Sequence, residues 1–255
     1  TGEAGAFLDA FYSPGSDFIG LANSWTTDLI LHDLGGADIL LRSLIYDLTH
    51  KQLFKGWMRI YHDMYSAFGK TQVMLMKITW DWAAYWGILC LMFMNKGYTN
   101  VDIMKQYASS ENAVGQKFAM LNEKMQQLFQ AWGKMESGRY AWSYHDLFDI
   151  RCIYRFHADL KGGTALDGLI EKCNENLRTL ESIAAAILRV ACASFRQTPI
   201  DMNVNPYTMS LQDSYDVLMK KSTDTGAMGV EDEIDEDISR MFVIPQKTSV
   251  SELAR

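Results

Sequence analysis

A chain of 255 residues is long enough for one large core or two small ones, and 48% apolar with 22% charged residues is the balance of a soluble globular protein. A net charge of −7, with no basic stripe interleaved with aromatics, argues against a nucleic-acid partner. The most apolar run, Trp82 to Met94, is shorter than the roughly 20 residues a bilayer-spanning helix needs, so no membrane span is expected. Cys90, Cys152, Cys173 and Cys192 are widely spaced, form no C-x-x-C pair and sit in apolar surroundings, which predicts buried free thiols and, with no visible signal peptide, a cytoplasmic protein. Seven Trp, twelve Tyr, twelve Phe and fifteen Met suit either an aromatic substrate pocket or simply a bulky core.

The first stretch, Thr1 to Gly36, opens with two small-residue turns, Gly2-Glu3-Ala4-Gly5 and Ser13-Pro14-Gly15-Ser16, around a short apolar run. The second turn leads into a helical pattern of Phe18, Leu21, Ala22, Trp25 and Leu29, with Pro14 and Gly15 at its start, Asp17 in its first turn and Gly35-Gly36 closing it. A helix N-terminus behind such a turn suits an anion or a polarised carbonyl oxygen, and equally an ordinary loop leading into a packed helix. Asp38 to Phe68 continues the helical spacing, with Thr49 to Gln52 as a place to bend or split. Thr71 to Met94 is apolar on nearly every side, as for a central helix, and Asn95-Lys96-Gly97 ends it.

A short helix follows from Thr99-Asn100 through Tyr107, then a longer one capped by Ser109-Ser110, with Glu111 in its first turn, running to about Glu136. Arg139 to Leu160 is predicted helical from about Ser143, and Asp167 to Phe195 is a long amphipathic helix. Gln197 to Tyr207 is turn-rich, Ser210 to Lys220 a short helix, and Ser222 to Gly229 a linker. The acidic run Glu231 to Asp237 reads as a solvated face or mobile tail. No strand pair declares itself, so the fold class is mainly α.

The order of the opening residues carries a resemblance. Gly2-Glu3-Ala4, Phe7-Leu8-Asp9 and Phe11-Tyr12-Ser13-Pro14-Gly15 resemble the late FAD motif of flavin-dependent halogenases and related class A flavoprotein monooxygenases, roughly G-D-A-A-x-F-x-D-P-x-x-S-x-G before a long helix. The resemblance covers about the first tenth of the chain. Gly2, Ala4, Phe7, Asp9, Ser13 and Gly15 match; Glu3 replaces the usual Asp, whose place contacts the ribityl chain, and Ala10 stands where Pro is usual. Pro14 occupies the place where many halogenases carry the Thr of the halide turn, and it offers neither hydroxyl nor N–H. The resemblance implies FAD as cofactor, with Gly2, Glu3, Ala4, Asp9, Ser13, Pro14, Gly15, Ser16 and Asp17 at its site, and a small organic substrate, aromatic or otherwise.

It further implies reaction through a flavin C4a-hydroperoxide, with a flavin reductase as a possible supplier of reduced flavin, and Pro14 tilts the expectation toward oxygen transfer over halogenation. The early strand–G-x-G-x-x-G–helix fingerprint is absent, so the chain is expected to be the C-terminal part of a two-domain flavoprotein whose Rossmann-type domain is mostly missing, and to bind FAD poorly alone. On that reading residues 1–35 end the FAD domain, 36–221 form a helical substrate-side domain and 222–255 an acidic tail. Two other readings stay open: a helical binding domain without catalysis, and a flavin-dependent reductase of the geranylgeranyl-reductase kind.

Elsewhere, His50 and His62, like His145 and His157, are too far apart in sequence to share a helical face, so no metal site is expected. Arg139 to Asp146 holds an aromatic cluster with His145 as a candidate acid/base, or else a helix start whose rings pack on neighbours. Neither a P-loop nor G-x-S-x-G occurs.

Overall fold

A helix whose apolar residues recur every three to four positions must bury one stripe, and Leu169–Arg196 (α8 below) does so along its length. Leu169, Cys173, Leu177, Leu180, Ile183, Ala184, Ile187, Leu188 and Ala191 are all buried on one side, as the pattern predicts. The computed structural model describes residues 4–65, 67–110, 113–135, 145–196, 205–209 and 230–241. In chain order its helices are α1 (Pro14–Leu34), α2 (Leu40–Tyr61), α3 (Thr71–Ala84), α4 (Leu91–Met94), α5 (Val101–Ala108), α6 (Val114–Met135), α7 (Arg151–Gly162), α8 and α9 (Val230–Met241). No strand occurs among the described residues, so the fold is all-α there. None of these helices is long and apolar enough to cross a membrane.

One core runs through the body, with α8 packed against α6, α9, α3 and α5. A smaller cluster of Phe18, Trp57, Ile60 and Tyr61 joins α1 to the second half of α2, with Leu8, Phe11 and Tyr12 of the opening turn laid on it. Trp25 of α1 stacks on Tyr46 of α2 at 5.7 Å and donates its indole N–H to the Tyr98 carbonyl at 2.8 Å.

Several boundaries differ from the expectation, each for a physical reason. α2 runs unbroken through Thr49 to Gln52: the Thr49 hydroxyl bonds the Ile45 carbonyl at 2.8 Å, and Lys51 pairs with Asp47 one turn back. It stops at Tyr61 and not Phe68; Met64 and Ala67 are buried from turns, which kept the apolar spacing going past the helix end. α6 begins at Val114, later than Ser109-Ser110 suggested, and α7 begins at Arg151 after a 3-10 turn, Leu147–Asp149, that Asp146 caps through the Phe148 N–H. Glu111, Arg139 to Tyr144, the short helix at 210–220 and the linker at 222–229 lie outside the described residues.

The largest correction is the acidic run. Of the two readings, a solvated face or a mobile tail, the second fails: residues 231–237 are part of α9, which buries Ile234, Asp237, Ile238 and Met241 against the body and leaves Glu236 exposed. Asp237, Glu233 and Asp235 pair with arginines distant in sequence. Asp237 accepts the Arg151 backbone N–H and guanidinium, Arg155 reaches Glu233 at 2.6 Å, and Arg189 forks onto Asp235. Glu236 stays on the solvent side, where Arg151 and Arg240 hold its carboxyl below the usual range.

Between α3 and α4 the helix widens into a π segment, Tyr85–Cys90. A π turn takes up an extra residue and weakens its own hydrogen-bond ladder. Here Asn176 of α8 satisfies the Gly87 carbonyl through its amide at 2.8 Å, and Phe156 packs so close to Gly87 that an added Cβ would sit 3.2 Å from its ring. The widening turns Tyr85 and Leu89 toward the start of α1, where both line a cavity.

Candidate functional site

The site begins with a strained turn. Tyr12 and Ser13 both adopt left-handed backbone, φ 63° and 53°, which a bulky residue such as tyrosine rarely tolerates. Three bonds hold it there. Asp9 accepts the Phe11 N–H at 2.8 Å, the Ser13 N–H bonds the Ala10 carbonyl at 3.1 Å, and the Tyr61 hydroxyl bonds the Phe11 carbonyl at 2.6 Å. Tyr65 donates to Asp9 from the other side and, with the Phe11 N–H, keeps that carboxyl below its usual range. Asp9 thus builds the turn. Pro14 then starts α1 with its fixed φ and no N–H, the Ser13 side chain caps no first-turn N–H, and the Ser16 N–H bonds the Ser13 carbonyl at 3.1 Å.

This turn forms one wall of a cavity of about 760 Å³. Tyr12, Ser13, Ser16 and Asp17 face it from the turn and α1, Ile45, Leu48, Leu53 and Trp57 from α2, and Asp81, Trp82, Tyr85 and Leu89 from α3 and the π segment. Tyr98, with Met104 and Tyr107 of α5 and Phe118 and Asn122 of α6, completes it. Gly115 belongs to the same wall because α5 and α6 nearly touch there; an added Cβ would lie 2.4 Å from the Tyr107 ring. A volume in this range, apolar and aromatic with a few polar groups, is the usual form of a small-molecule site. A smaller cavity of about 120 Å³ adjoins, shared by Asp17, Tyr85 and Cys90. Burial pushes the Cys90 thiol up to about 11, so it stays protonated and unreactive.

Two polar constellations lie on the wall. In the first, the Tyr85 hydroxyl donates to Asp17 at 2.8 Å. Burial raises the Asp17 carboxyl above its usual range, outweighing that hydrogen bond. A raised carboxyl binds its proton more readily in the folded than in the unfolded chain. Stability is therefore lost as pH rises from the ordinary carboxylate pKa through the raised one, and the loss is complete above it. Asp17→Asn is expected to gain on the wild type across that window, by no more than about 1 kcal/mol because Asp17 is partly solvated and screened. Urea titrations of both proteins from acid to neutral pH measure this; a constant difference would contradict it.

The second constellation was not anticipated from the sequence. Lys77 is fully buried; its ammonium lies 2.8 Å from Asp81 and 2.8 Å from the Gln126 side-chain carbonyl. Gln126 donates back to Asp81 at 2.9 Å and to Asn122 at 3.3 Å, and Asn122 also accepts the Trp80 indole N–H at 2.9 Å. Burial lowers the Lys77 pKa while the Asp81 charge works against that shift. The signal was available: two opposite charges at i and i+4 inside a helix apolar on nearly every side must pair, because a lone buried charge is too costly. Above this network the Tyr12 hydroxyl is buried beside Asp81; burial raises its pKa, and the Asp81 carboxylate adds to the rise.

Of the residues expected to touch a cofactor, Ser13, Ser16 and Asp17 line the cavity, as does Tyr12 between them and Asp9. Pro14 and Gly15 are buried beneath the turn, Ala4 is exposed, and Gly2 and Glu3 lie outside the described residues. His145 precedes the 3-10 turn and is not among the lining residues. His50 packs 5.3 Å from the Phe18 ring and His157 4.8 Å from Trp86. The Ser13 and Ser16 hydroxyls beside an aromatic wall are compatible with the polar edge and flat face of a flavin ring. No protein-family model matches the chain, and neither a curated protein nor a solved structure does.

Proposed function

We infer that this chain supplies the substrate-side part of an FAD-dependent oxidoreductase that acts on a small organic substrate. One observation carries the reading: Tyr12 and Ser13, at the end of the stretch that resembles the late flavin motif of halogenases and class A monooxygenases, form, in a strained left-handed turn, part of the wall of a large aromatic cavity. Strain of this kind is kept where surrounding structure enforces it, and it gathers at ligand sites. The motif residues are also open: Ala4, Gly5 and Phe7 are exposed, so a ring and its chain can lie along them.

On this reading the Ser13 and Ser16 hydroxyls, at the positive end of α1, bind the polar edge of the flavin and stabilise negative charge that develops there. Trp57, Trp82 and Tyr85 hold the substrate flat and exclude water. The flavin, when bound, supplies the redox chemistry, transferring oxygen to an electron-rich substrate or oxidising halide. Oxygen transfer is the better supported outcome, because Pro14 is buried and offers a halide neither hydroxyl nor N–H.

The test is the polypeptide from the complete reading frame, supplied with reduced flavin by a reductase. It is expected to carry flavin absorbance and to consume oxygen when substrate is present. Ser16→Trp, which adds bulk at an exposed wall position, is expected to lower turnover by about a hundredfold with unchanged circular dichroism. A protein without flavin absorbance overturns the reading.

A further inference from the structure

The corner where α1 gives way to α2 leaves its apolar residues outside the fold. Leu31 and Leu34 in the last turn of α1, and Leu40, Leu41, Leu44 and Leu48 at the start of α2, are exposed by between 52% at Leu44 and 79% at Leu34. Single exposed leucines are ordinary, but six at one corner are not. Together they present on the order of 600 Å², the top of the range for the largest apolar patch of a monomer. Two such patches set face to face bury about 1,200 Å² before any flanking side chain is added, which is where stable protein interfaces begin. Their order along α2 is equally informative. Leu41, Leu44, Leu48, Lys51 and Lys55 recur at alternating steps of three and four, the seam spacing of helices packed side by side, and all five are exposed. The seam has a sign at each end: Asp38 opens it, and Lys51, which also holds Asp47, and Lys55 close it. A parallel copy would set acid against acid and base against base. An antiparallel copy centred on Leu44 puts Leu40 opposite Leu48 and brings Asp38 level with Lys51, because these lie at nearly equal distances either side of the centre.

We propose that this face is the contact between two copies of the chain, a two-fold packing of α2 on α2 with Leu44 beside the axis. The same patch then serves both copies, so assembly closes at the dimer. The assignment stands whether or not the cavity holds a flavin. A lipid surface fits the face less well, because a helix lying on an anionic bilayer needs basic residues around its apolar stripe. Here Asp33, Asp38 and Asp47 border the leucines. Arg42, set among them in sequence, is turned inward onto Asp28, the Tyr46 hydroxyl and the Thr99 carbonyl.

The test is analytical ultracentrifugation of the chain at micromolar concentration. The expected result is a particle of twice the 29.0 kDa chain mass. Leu44→Glu is expected to raise the dissociation constant at least about a hundredfold, because two like charges then meet near the axis. Its circular dichroism is expected to stay unchanged, since the position is exposed. Lys51→Glu is expected to raise the constant about tenfold, and adding Asp38→Lys to recover most of that loss, which separates an antiparallel seam from unspecific contact between leucines. A dimer that survives Leu44→Glu, or a Lys51→Glu loss that Asp38→Lys does not recover, overturns the inference. A chain that remains monomeric overturns it too. Co-sedimentation of that monomer with phosphatidylcholine vesicles would then assign the leucines to a bilayer surface, and its absence would assign them to another protein segment.

Discussion

Lys77→Met is expected to destabilise the protein by about 3–5 kcal/mol, the usual cost of leaving one member of a buried ion pair without the other. Methionine nearly matches lysine in length and fills the same space, so the loss reports electrostatics and not a void. Asp81 would keep Gln126 as a donor but lose the cation bonded to it. The pair itself is not therefore a source of stability. Removing both charges, Lys77→Met with Asp81→Leu, is expected to recover most of the loss, as an apolar pair of similar volume often equals a buried ion pair. Recovery stops short because Gln126 then retains only Asn122 as a partner, leaving its carbonyl oxygen unsatisfied at about 1–3 kcal/mol. Adding Gln126→Leu should bring the triple variant nearest to the wild type. Urea denaturation of the single, double and triple variants measures the cycle. A cost under about 1 kcal/mol for Lys77→Met would mean that water from the cavity already hydrates Asp81.

The contrast between α8 and the segment it packs on explains what a sequence can disclose. α8 keeps one period over its whole length, so its buried stripe from Leu169 to Ala191 is readable residue by residue. Thr71 to Met94 is just as clearly helical, yet nothing in its pattern marks the change to π winding at Tyr85. That change depends on Asn176 and Phe156, which approach Gly87 from other helices. Hydrophobic periodicity registers which face is buried; it does not register a partner distant along the chain. The acidic run was misread for the same reason. Without Arg151, Arg155 and Arg189 beside it, Glu231 to Asp237 has the composition of a solvated tail.

The site divides along the same line. The residue types of the opening turn were legible because their order is distinctive, while the left-handed backbone of Tyr12 and Ser13 was not, since neither residue favours it. The turn is imposed from outside, by Tyr61 on Phe11 and by Tyr65 on Asp9. The cavity was beyond reach altogether, because its wall is assembled from the turn, α2, α3, the π segment, α5 and α6, and no local pattern encodes a space between elements. The Lys77–Asp81 pair lies between these cases: its spacing is local, and only its position facing a cavity required the fold.

Trp80→Ala is expected to cost about 3–5 kcal/mol, comparable to the Lys77 change but by a different route. Trp80 is fully buried in the main core, one helical turn from both Lys77 and Ala84, and the substitution leaves a void that the surrounding helices fill only in part. Its indole N–H is also the bond that orients Asn122. Trp80→Phe separates the two contributions. It keeps most of the apolar body and deletes the donor, and the Asn122 carbonyl is not orphaned because Gln126 still reaches it at 3.3 Å. The stability cost of Trp80→Phe is therefore expected to stay near 1–2 kcal/mol, about 1 of it from the hydrogen bond. Its effect on the cavity is expected to be larger than that figure suggests. With the indole gone, Asn122 is held by one long bond, Gln126 loses the fixed partner that sets its own orientation, and the donor to Asp81 is loosened in turn. A double-mutant cycle between Trp80→Phe and Lys77→Met, read by urea denaturation, measures that transmission. Strict additivity would show that the indole and the ammonium act independently, whereas coupling of about 0.5 kcal/mol or more would show that Trp80 sets the geometry of the wall from behind it.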